Sequence, residues 1–279
     1  MTTSNIKGEL MDFSMPKVMG ILNITPDSFY EGSRKQTEKE IAERVNQIVS
    51  EGTDIIDVGA YSSRPNAAFV GEAEERERLR FGLSILFREF PGAIVSIDTF
   101  RANVARECVE KFGAAIINDI SAGELDSAMF DAVTDLQVPY IIMHMRGTPQ
   151  TMMEHTVYNH LMKDIFLYFA EKINVLHQKG VNDIWIDPGF GFSKTTRQNY
   201  EILNNLEQFT IFELPLLAGF SRKTMIRDIL HVPASEALNG TTALNMFALT
   251  QGANILRVHD VKEAVQTIRL YNTIKESKT

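Results

Sequence analysis

The sequence predicts a (β/α)₈ barrel, a closed ring of eight parallel strands surrounded by helices. Two observations lead to this prediction. Eight short apolar runs alternate with longer amphipathic segments, and the 279 residues suit one barrel, which usually takes about 250. An open, doubly wound sheet is the alternative, but such sheets usually have fewer strands. They also often carry a glycine-rich dinucleotide-binding loop, and the sequence has neither that loop nor a Walker A motif.

The eight predicted strands are short, rich in β-branched residues and mostly apolar. Strands buried on both faces read as such continuous runs rather than as alternating ones. We predict them at Val18–Leu22, Ile55–Val58, Ile94–Ile97, Ala115–Ile117, Pro139–Met143, Ile184–Ile186, Leu216–Ala218 and Ile255–Val258. The barrel domain is expected to span residues 16–279, and residues 1–15 are expected to form an N-terminal tail outside it.

The segments between the strands carry the period of amphipathic helices. Their apolar stripes include Ile41–Val45–Ile48, Leu79–Leu83–Leu86 and Val104–Cys108–Phe112. After the first strand, Thr37 and Glu40 predict a capping box at the start of a helix. After the third strand, Gly113 predicts a helix end. After the eighth strand, Asp260 and Glu263 predict the cap of the last helix.

Composition and charge narrow the function classes. The formal net charge of −8 disfavours nucleic acid and anionic membranes as partners. Cys108 is the single cysteine, so no intrachain disulfide can form, which suits a reducing compartment. The sequence begins without a basic, then apolar, leader pattern and has no apolar stretch near the ~18 residues of a membrane span. We expect a cytoplasmic protein in which any anionic ligand is held by a local cluster of positive charge.

Polar side chains follow most of the predicted strands. The carboxyl ends of barrel strands meet at one mouth, where active sites are built. These ends carry Asn23, Asp98, Asn118, His144, Asp187 and Arg257 with His259, while the second and seventh strands reach Ser63–Arg64 and Ser221–Lys223 through short loops. Each has an ordinary alternative: Asp98 can cap a helix, Asn118 and Asp187 can form turns, and His144 alone suggests a structural role.

A positive cluster follows the seventh and eighth strands. Arg222 and Lys223 open a predicted helix, where cations oppose the helix dipole, and a bound anion or polar ligand would remove that conflict. Arg257 and His259 end the neighbouring strand, and these two loops form the usual phosphate site of this fold. Arg64 can add to the cluster from the second loop.

The strand ends divide into two halves with different chemistry. The first half offers acceptors, an amide and one amine for the N–H-rich edge of a flat heterocycle: Asp98, Asn118, Asp187 and Lys223. The second half could hold a diphosphate with Mg²⁺: Arg64, Arg257, His259 and Asn23. A heterocycle joined to a diphosphate suggests group transfer in which stabilisation of the departing charge is the main catalytic effect.

These motifs resemble those of the dihydropteroate synthases, in order, from about Val18 to Ile268. The matching segments are Gly20–Phe29, Ser63–Pro65, Ser96–Thr99, Ile117–Ile120, His144–Pro149, Asp187–Phe192, Ser221–Lys223 and Arg257–Asp260. One such motif is weak support, whereas eight in register indicate the family strongly.

The resemblance implies a role for each matching residue. The pterin ring would be bound by Asp98, Asn118, Asp187 and Lys223. The diphosphate would be bound by Asn23, Ser63, Arg64, Arg257 and His259, with Asn23 also contacting Mg²⁺. The p-aminobenzoate would be framed by Ser63, Pro65, Phe192, Ser221 and Lys223. The residues expected to act in catalysis are Asp98, Lys223, Arg257 and His259.

The implied reaction joins 6-hydroxymethyl-7,8-dihydropterin diphosphate to p-aminobenzoate and releases diphosphate. The family picture is dissociative, with diphosphate leaving before the aniline nitrogen attacks, and with the loops after strands one and two excluding water. The resemblance also implies a homodimer. Two loops depart from the family pattern: the second has Ser63 and Asn66 where Thr and Gly are usual, and the first reads Tyr30–Ser33. Both departures bear on inhibitor sensitivity.

Three rival functions fit parts of this pattern. A methyltransferase barrel that binds methyltetrahydrofolate shares the acidic pterin pocket, but it needs neither the Ser221–Lys223 nor the Arg257–His259 motif. A paralogue that binds pterin without turnover is a second alternative, which only the changed loops support. A metal-dependent barrel of the enolase type would need carboxylates at three successive strand ends, where this sequence has Asp98, Asn118 and His144.

Overall fold

The computed structural model describes residues 2–24, 34–61 and 69–277. Within them the strands are β1 (Thr3–Ile6), β2 (Glu9–Asp12), β3 (Lys17–Asn23), β4 (Ile55–Gly59), β5 (Val95–Asp98), β6 (Ile116–Asp119), β7 (Tyr140–Met143), β8 (Ile184–Asp187), β9 (Leu217–Ala218) and β10 (Ile255–Val258). The α-helices are α1 (Arg34–Ser50), α2 (Glu72–Glu89), α3 (Ala102–Phe112), α4 (Met129–Leu136), α5 (Leu161–Gln178), α6 (Thr196–Asn204), α7 (Thr224–Leu230), α8 (Leu238–Thr250) and α9 (Val261–Glu276).

The strands β3 to β10 form one parallel sheet that closes on itself. Their order is β8-β7-β6-β5-β4-β3-β10-β9. The two ends of this row meet through a parallel bridge between Ile186 and Leu216, and the Ile186 N–H donates to the Pro215 carbonyl at 2.9 Å. The predicted (β/α)₈ barrel is confirmed, and each predicted apolar run overlaps one of its strands.

Helix ends agree with the sequence patterns at one position and differ at two. Gly113 ends α3 in the left-handed conformation (φ 71°), as predicted. The predicted capping box is wrong, because α1 begins at Arg34 and Thr37 lies within its first turn. Asp260 does occupy the N-cap position of α9, but its side chain makes no capping hydrogen bond and instead binds Arg222.

Among the helices of the described residues, none has the length and apolar character to cross a membrane.

The amino end of the barrel is filled by apolar side chains and covered by a hairpin. Residues 1–15 were expected to be a tail, but β1 and β2 pair antiparallel within them. Phe13 then packs edge-on against Trp185, with ring centroids 5.2 Å apart. The Trp185 indole N–H donates to the Ser4 hydroxyl at 3.0 Å, and that hydroxyl donates to Asp183 at 2.8 Å. The segment therefore closes the barrel at the end opposite the predicted site.

Candidate active site

Three polar residues and one glycine stand level with one another at the carboxyl end of the barrel. Parallel pairing aligns Asn23 with Gly59, Gly59 with Asp98, and Asp98 with Asn118. A Cβ atom at Gly59 would lie 3.7 Å from both Asn23 Oδ1 and Asp98 Oδ2. The missing side chain at Gly59 therefore leaves space between an exposed amide and a carboxylate, as a ligand-binding mouth requires.

Arg257 projects into this mouth from β10 and binds two carboxylates. Its Nε donates to Asp57 Oδ2 at 2.7 Å, and its Nη2 donates to Asp98 Oδ2 at 2.5 Å. The same Asp57 oxygen accepts from Asn118 Nδ2 at 3.2 Å. Three predicted site residues, Asp98, Asn118 and Arg257, thus share one hydrogen-bond network, although Arg257 is 159 positions from Asp98 along the chain.

The charged groups in this network shift one another's pKa values. Burial raises the pKa of Asp98 to about 7, with Arg257 lowering it and Asp57 raising it. For Arg257, burial lowers the pKa of the guanidinium, but Asp57 and Asp98 outweigh that effect, and its pKa is raised. Asp98 therefore changes protonation near neutral pH while Arg257 stays charged.

The two carboxylate oxygens of Asp187, at the end of β8, have different surroundings. Its Oδ1 accepts from the Gly189 N–H at 2.8 Å, so the turn interpretation is correct for this oxygen. Its Oδ2 faces the mouth, because a Cβ at Gly219 would lie 3.7 Å from it and 3.8 Å from the Arg257 Cβ. Burial raises the pKa of Asp187, and Lys223 opposes that shift.

Lys223 lies at the start of α7, beside an aromatic wall. Its ammonium donates to the Phe190 carbonyl at 2.6 Å and stands 4.9 Å from the centroid of the Phe192 ring. Burial lowers the pKa of Lys223 to about 8, and Asp187 opposes that shift. A partly buried amine with a lowered pKa can donate a hydrogen bond to a ligand near neutral pH and also lose its charge within the physiological range.

Arg222 does not add free positive charge to the mouth. Its guanidinium binds both Asp260 oxygens, each at 2.8 Å, and it donates to the carbonyls of Ala234 and Ser235 at 2.8 and 2.9 Å. This side chain therefore fastens the start of α7 to the start of α9. Of the two cations predicted to oppose the helix dipole, Lys223 is the one that faces the site.

A cavity of about 440 Å³ lies beside His259. The His259 Nδ1 is 3.1 Å from the Ser221 hydroxyl, which also accepts from the His259 backbone N–H at 3.3 Å. The His259 carbonyl accepts from Arg44 Nη2 at 2.6 Å. The walls of the cavity are Ile21, Leu22, Asn23, Ile41, Arg44, Arg222, His259 and Asp260. Arg44 supplies positive charge to its wall, which suits an anion, while Asp260 is paired with Arg222.

Comparison with known proteins identifies the family. A family model described as "Pterin binding enzyme" matches residues 19–259. The dihydropteroate synthase of Escherichia coli (strain K12) is 40% identical over 274 residues, which cover 98% of this chain and 96% of the relative. That of Haemophilus influenzae is 37% identical over 264 residues, 94% of each chain.

The chain belongs to the dihydropteroate synthase family.

Solved dihydropteroate synthases share its fold over nearly their whole length. The Yersinia pestis enzyme, in a complex with a sulfonamide drug, has a TM-score of 0.90 and 36% identity, covering 99% of this chain and 100% of the other. The Xanthomonas albilineans enzyme with 4-aminobenzoic acid has a TM-score of 0.89 and 32% identity, covering 98% of each chain.

The family resemblance predicts more site residues than the structure can place. Asn23, Asp98, Asn118, Asp187, Phe192, Ser221, Lys223, Arg257 and His259 all lie at the carboxyl end of the barrel. Ser63, Arg64 and Pro65, together with the unusual loop positions Tyr30–Ser33 and Asn66, lie outside the described residues. The roles given to these loop residues therefore remain predictions.

His144 has the structural role that its isolated position suggests. It is buried, its ring packs edge-on against Tyr168 with centroids 4.9 Å apart, and its Nδ1 is 3.0 Å from Lys194 Nζ. Lys194 was missed in the sequence, although it is buried and donates to the carbonyls of Gly189 and Phe192, each at 3.0 Å. This lysine holds the loop that carries Phe192 into the site.

Other residues near the mouth were also missed in the sequence. Asp57 and Arg44 gave no signal, because one lies inside an apolar run and the other on a charged helix face. A separate apolar cluster near the mouth, with three buried methionines, was also not predicted from the sequence. Its buried members are Ile120, Met143, Met145, Met152 and Phe192. Such a cluster offers a flat ring an apolar wall.

Proposed function

We propose that the chain makes 7,8-dihydropteroate from 6-hydroxymethyl-7,8-dihydropterin diphosphate and p-aminobenzoate, in folate synthesis. One observation carries the proposal most directly. A row of acceptors with one partly buried amine stands at the carboxyl end of the barrel, near an apolar cluster and a cavity lined by Arg44 and His259, in a chain of this family. The two halves match a heterocycle and a diphosphate.

The pterin ring is proposed to bind at Asp98, Asn118, Asp187 and Lys223. Ionised Asp98 and Asp187 accept from ring N–H groups, and Lys223 donates to a carbonyl or ring nitrogen. Asn118 and Asp187 are buried and Asp98 and Lys223 are partly buried, which strengthens hydrogen bonds to the ligand because water competes less there. The nearby cluster with Met143 and Phe192 would pack against the faces of the ring.

The diphosphate is proposed to bind toward Asn23, Arg257 and His259, with Ser63 and Arg64 closing from the second loop. The cavity beside His259 supports this placement, and Arg44 adds a cation that forms no ion pair with the described residues. Burial and fixed positive charge stabilise a departing anion without reorganisation of water.

Mg²⁺ is proposed to arrive with the diphosphate rather than to occupy a resident site. The described residues contain no group of three His, Cys, Asp or Glu side chains that could hold a metal ion. Mg²⁺ commonly keeps several waters and uses one or two protein oxygens plus substrate phosphates, which suits the exposed Asn23 amide. When bound, the ion would neutralise charge on the leaving group.

The p-aminobenzoate is proposed to lie among Phe192, Ser221 and Lys223, with Ser63 and Pro65 on the second loop. In the proposed reaction the bond between the pterin methylene carbon and the diphosphate oxygen breaks first, and diphosphate leaves with the electron pair. The aniline nitrogen then bonds the methylene carbon and loses a proton. Asp98 and Asp187 favour positive charge on the ring, while Arg257 and His259 favour the departing anion.

Diphosphate release from the dihydropterin substrate tests this function. We expect release with Mg²⁺ that depends on p-aminobenzoate and is matched by dihydropteroate. Binding without turnover would instead indicate a non-catalytic paralogue, with Tyr30, Glu31, Ser63 and Asn66 as the first positions to restore. Binding of methyltetrahydrofolate, with no binding of the diphosphate substrate, would indicate the methyltransferase alternative.

We also propose a cytoplasmic homodimer. Five of the twelve exposed large hydrophobic side chains in the described residues lie on α7, α8 and α9: Ile229, Leu230, Phe247, Leu270 and Ile274. Such a concentration suits a subunit interface. The buried thiol of Cys108 suits a reducing compartment. Light scattering at micromolar concentration checks the dimer, and a monomer would contradict it.

A further inference from the structure

Asp57 is a fully buried charged group of the mouth, and the proposed function gives it no role. Its side chain is 0% exposed, whereas that of Asp98 is 18% exposed. It lies on β4, within a strand whose other residues are apolar or glycine. A carboxylate in this position must be compensated by its neighbours, because burial of an ionised group is costly.

The compensation is concentrated on one oxygen. Asp57 Oδ2 accepts from Arg257 Nε at 2.7 Å and from Asn118 Nδ2 at 3.2 Å, and it lies 2.6 Å from Arg257 Nη2. The other oxygen, Oδ1, is buried without a hydrogen-bond partner in the described part of the chain. A buried ion pair with an unsatisfied oxygen is a poor source of stability, because apolar residues of similar volume often stabilise as well or better. A functional reason for Asp57 is therefore favoured.

Asp57 and Asp98 both bind Arg257, but they differ in their accessibility to a ligand. Asp98 is the more exposed anchor, and a pterin ring that bonds Asp98 Oδ2 must compete with the Arg257 guanidinium for that oxygen. Asp57 lies beneath, out of reach of solvent. The Nη1 nitrogen of Arg257 forms no hydrogen bond with the described residues, so its two N–H groups remain for another ligand.

We infer that Asp57 is a positioning residue for Arg257. It holds the guanidinium at the mouth when the pterin ring takes over Asp98, so that the remaining N–H groups stay directed at the diphosphate. Asp57 itself touches no substrate in this scheme. The inference rests on the proposed function, since it assigns Asp98 to the ring and Arg257 to the diphosphate.

Calorimetry with two related ligands tests the inference. Asp57→Asn keeps the size of the side chain and an oxygen acceptor for Asn118, but it removes the charge that holds Arg257. We expect binding of 6-hydroxymethyl-7,8-dihydropterin diphosphate with Mg²⁺ to weaken at least about tenfold, the range of a charged hydrogen bond. Binding of the diphosphate-free alcohol should change less than about threefold, because its contacts are kept.

An equal loss for both ligands would overturn the inference, because Asp57 would then act through the pterin pocket. Unchanged binding of both ligands would overturn it as well. If Asp57→Asn does not fold, Asp57→Ser serves the same test, since it also removes the charge that holds Arg257. A wild-type chain that binds neither ligand would instead contradict the proposed function, so the two failures are distinguishable.

A double-mutant cycle on turnover supplies the second measurement. In the Arg257→Ala background, Asp57→Asn should lower kcat/KM by less than about threefold, because the group it positions is already gone. Independent, additive losses would overturn the inference. Glu107→Gln is the matched control, since Glu107 is a buried carboxylate that binds Arg76 and Arg80 on the outer helices. It should lower Tm and leave kcat/KM near the wild-type value.

Discussion

The two ends of the barrel are built from the same strands with opposite chemistry. At the amino end, β3, β4 and β8 contribute Met19, Ile55 and Trp185, which are fully buried and packed under the hairpin. At the carboxyl end, β4 and β10 contribute Asp57 and Arg257, which form a buried ion pair that Asp98 extends. Apolar packing stabilises the fold, whereas buried ion pairs contribute little net stability. The comparison therefore separates residues that hold the barrel together from residues that serve ligands.

Substitutions at the mouth should produce the largest loss of activity. We expect Lys223→Ala and Arg257→Ala each to lower kcat/KM by at least about tenfold, because each removes a charged contact to the ring or the leaving group. Steady-state turnover with both substrates measures the effect, and circular dichroism checks the fold. Full activity in either folded variant would remove that residue from the proposed mechanism.

A substitution at the amino end should show the reverse pattern. We expect Trp185→Ala to lower the free energy of unfolding by about 3–5 kcal/mol, because it leaves a cavity and exposes the packing surface of Phe13. Urea denaturation measures this change. Activity per folded molecule should stay within about twofold of the wild type, since the contacts of Trp185 are with the hairpin at the amino end rather than with the mouth. A large loss of activity per folded molecule with little loss of stability would contradict this division between the two ends.

How much the sequence could predict also differs between the two ends. At the mouth, the rule that parallel strands end together located Asp98, Asn118 and Asp187 without knowledge of their contacts. Asp57 could not be found in this way, because its partner Arg257 lies on the other side of β3 and 200 positions away along the chain. Only the closed barrel makes them neighbours, and a single charge inside an apolar run carries no sign of its partner.

At the amino end, the barrel strands were predicted but the hairpin was not. Its strands have four residues each, and β2 has no buried residue, so the alternation typical of a strand is absent there. In the turn, Lys7 and Gly8 both have positive φ (53° and 89°), as in a two-residue hairpin turn, but only Gly8 is a residue type that signals this conformation in the sequence. That signal is weak without the tertiary contacts that Phe13 and Ser4 make with the barrel.

The pH dependence of turnover should reveal the charges of the mouth. We expect kcat/KM to fall as the pH drops through about 7, because protonation of Asp98 removes an acceptor, and to fall again as Lys223 loses its proton above about 8. Arg257 lowers the pKa of both groups. In the pH profile of the residual activity of Arg257→Met, the acidic limb and the alkaline limb should therefore both move to higher pH.

The pH-rate profiles of the two chains measure this shift. As a control, Arg88→Met removes an exposed arginine paired with Glu38 and Glu89 on the outer helices, and its limbs should coincide with those of the wild type. Limbs that stay in place in Arg257→Met would show that neither Asp98 nor Lys223 sets the profile.

Cys108 should give the smallest effect of all, because it belongs to neither end. It lies buried on α3, in the layer between helices and barrel, and burial raises the pKa of its thiol to about 12. A thiol held protonated is a poor nucleophile, so we expect Cys108→Ala to leave kcat/KM nearly unchanged and to cost about 1 kcal/mol of stability. Turnover and urea denaturation measure the two quantities. A large fall in kcat with intact stability would mean that the helix layer also takes part in catalysis, and the division between the ends of the barrel would no longer account for the activity.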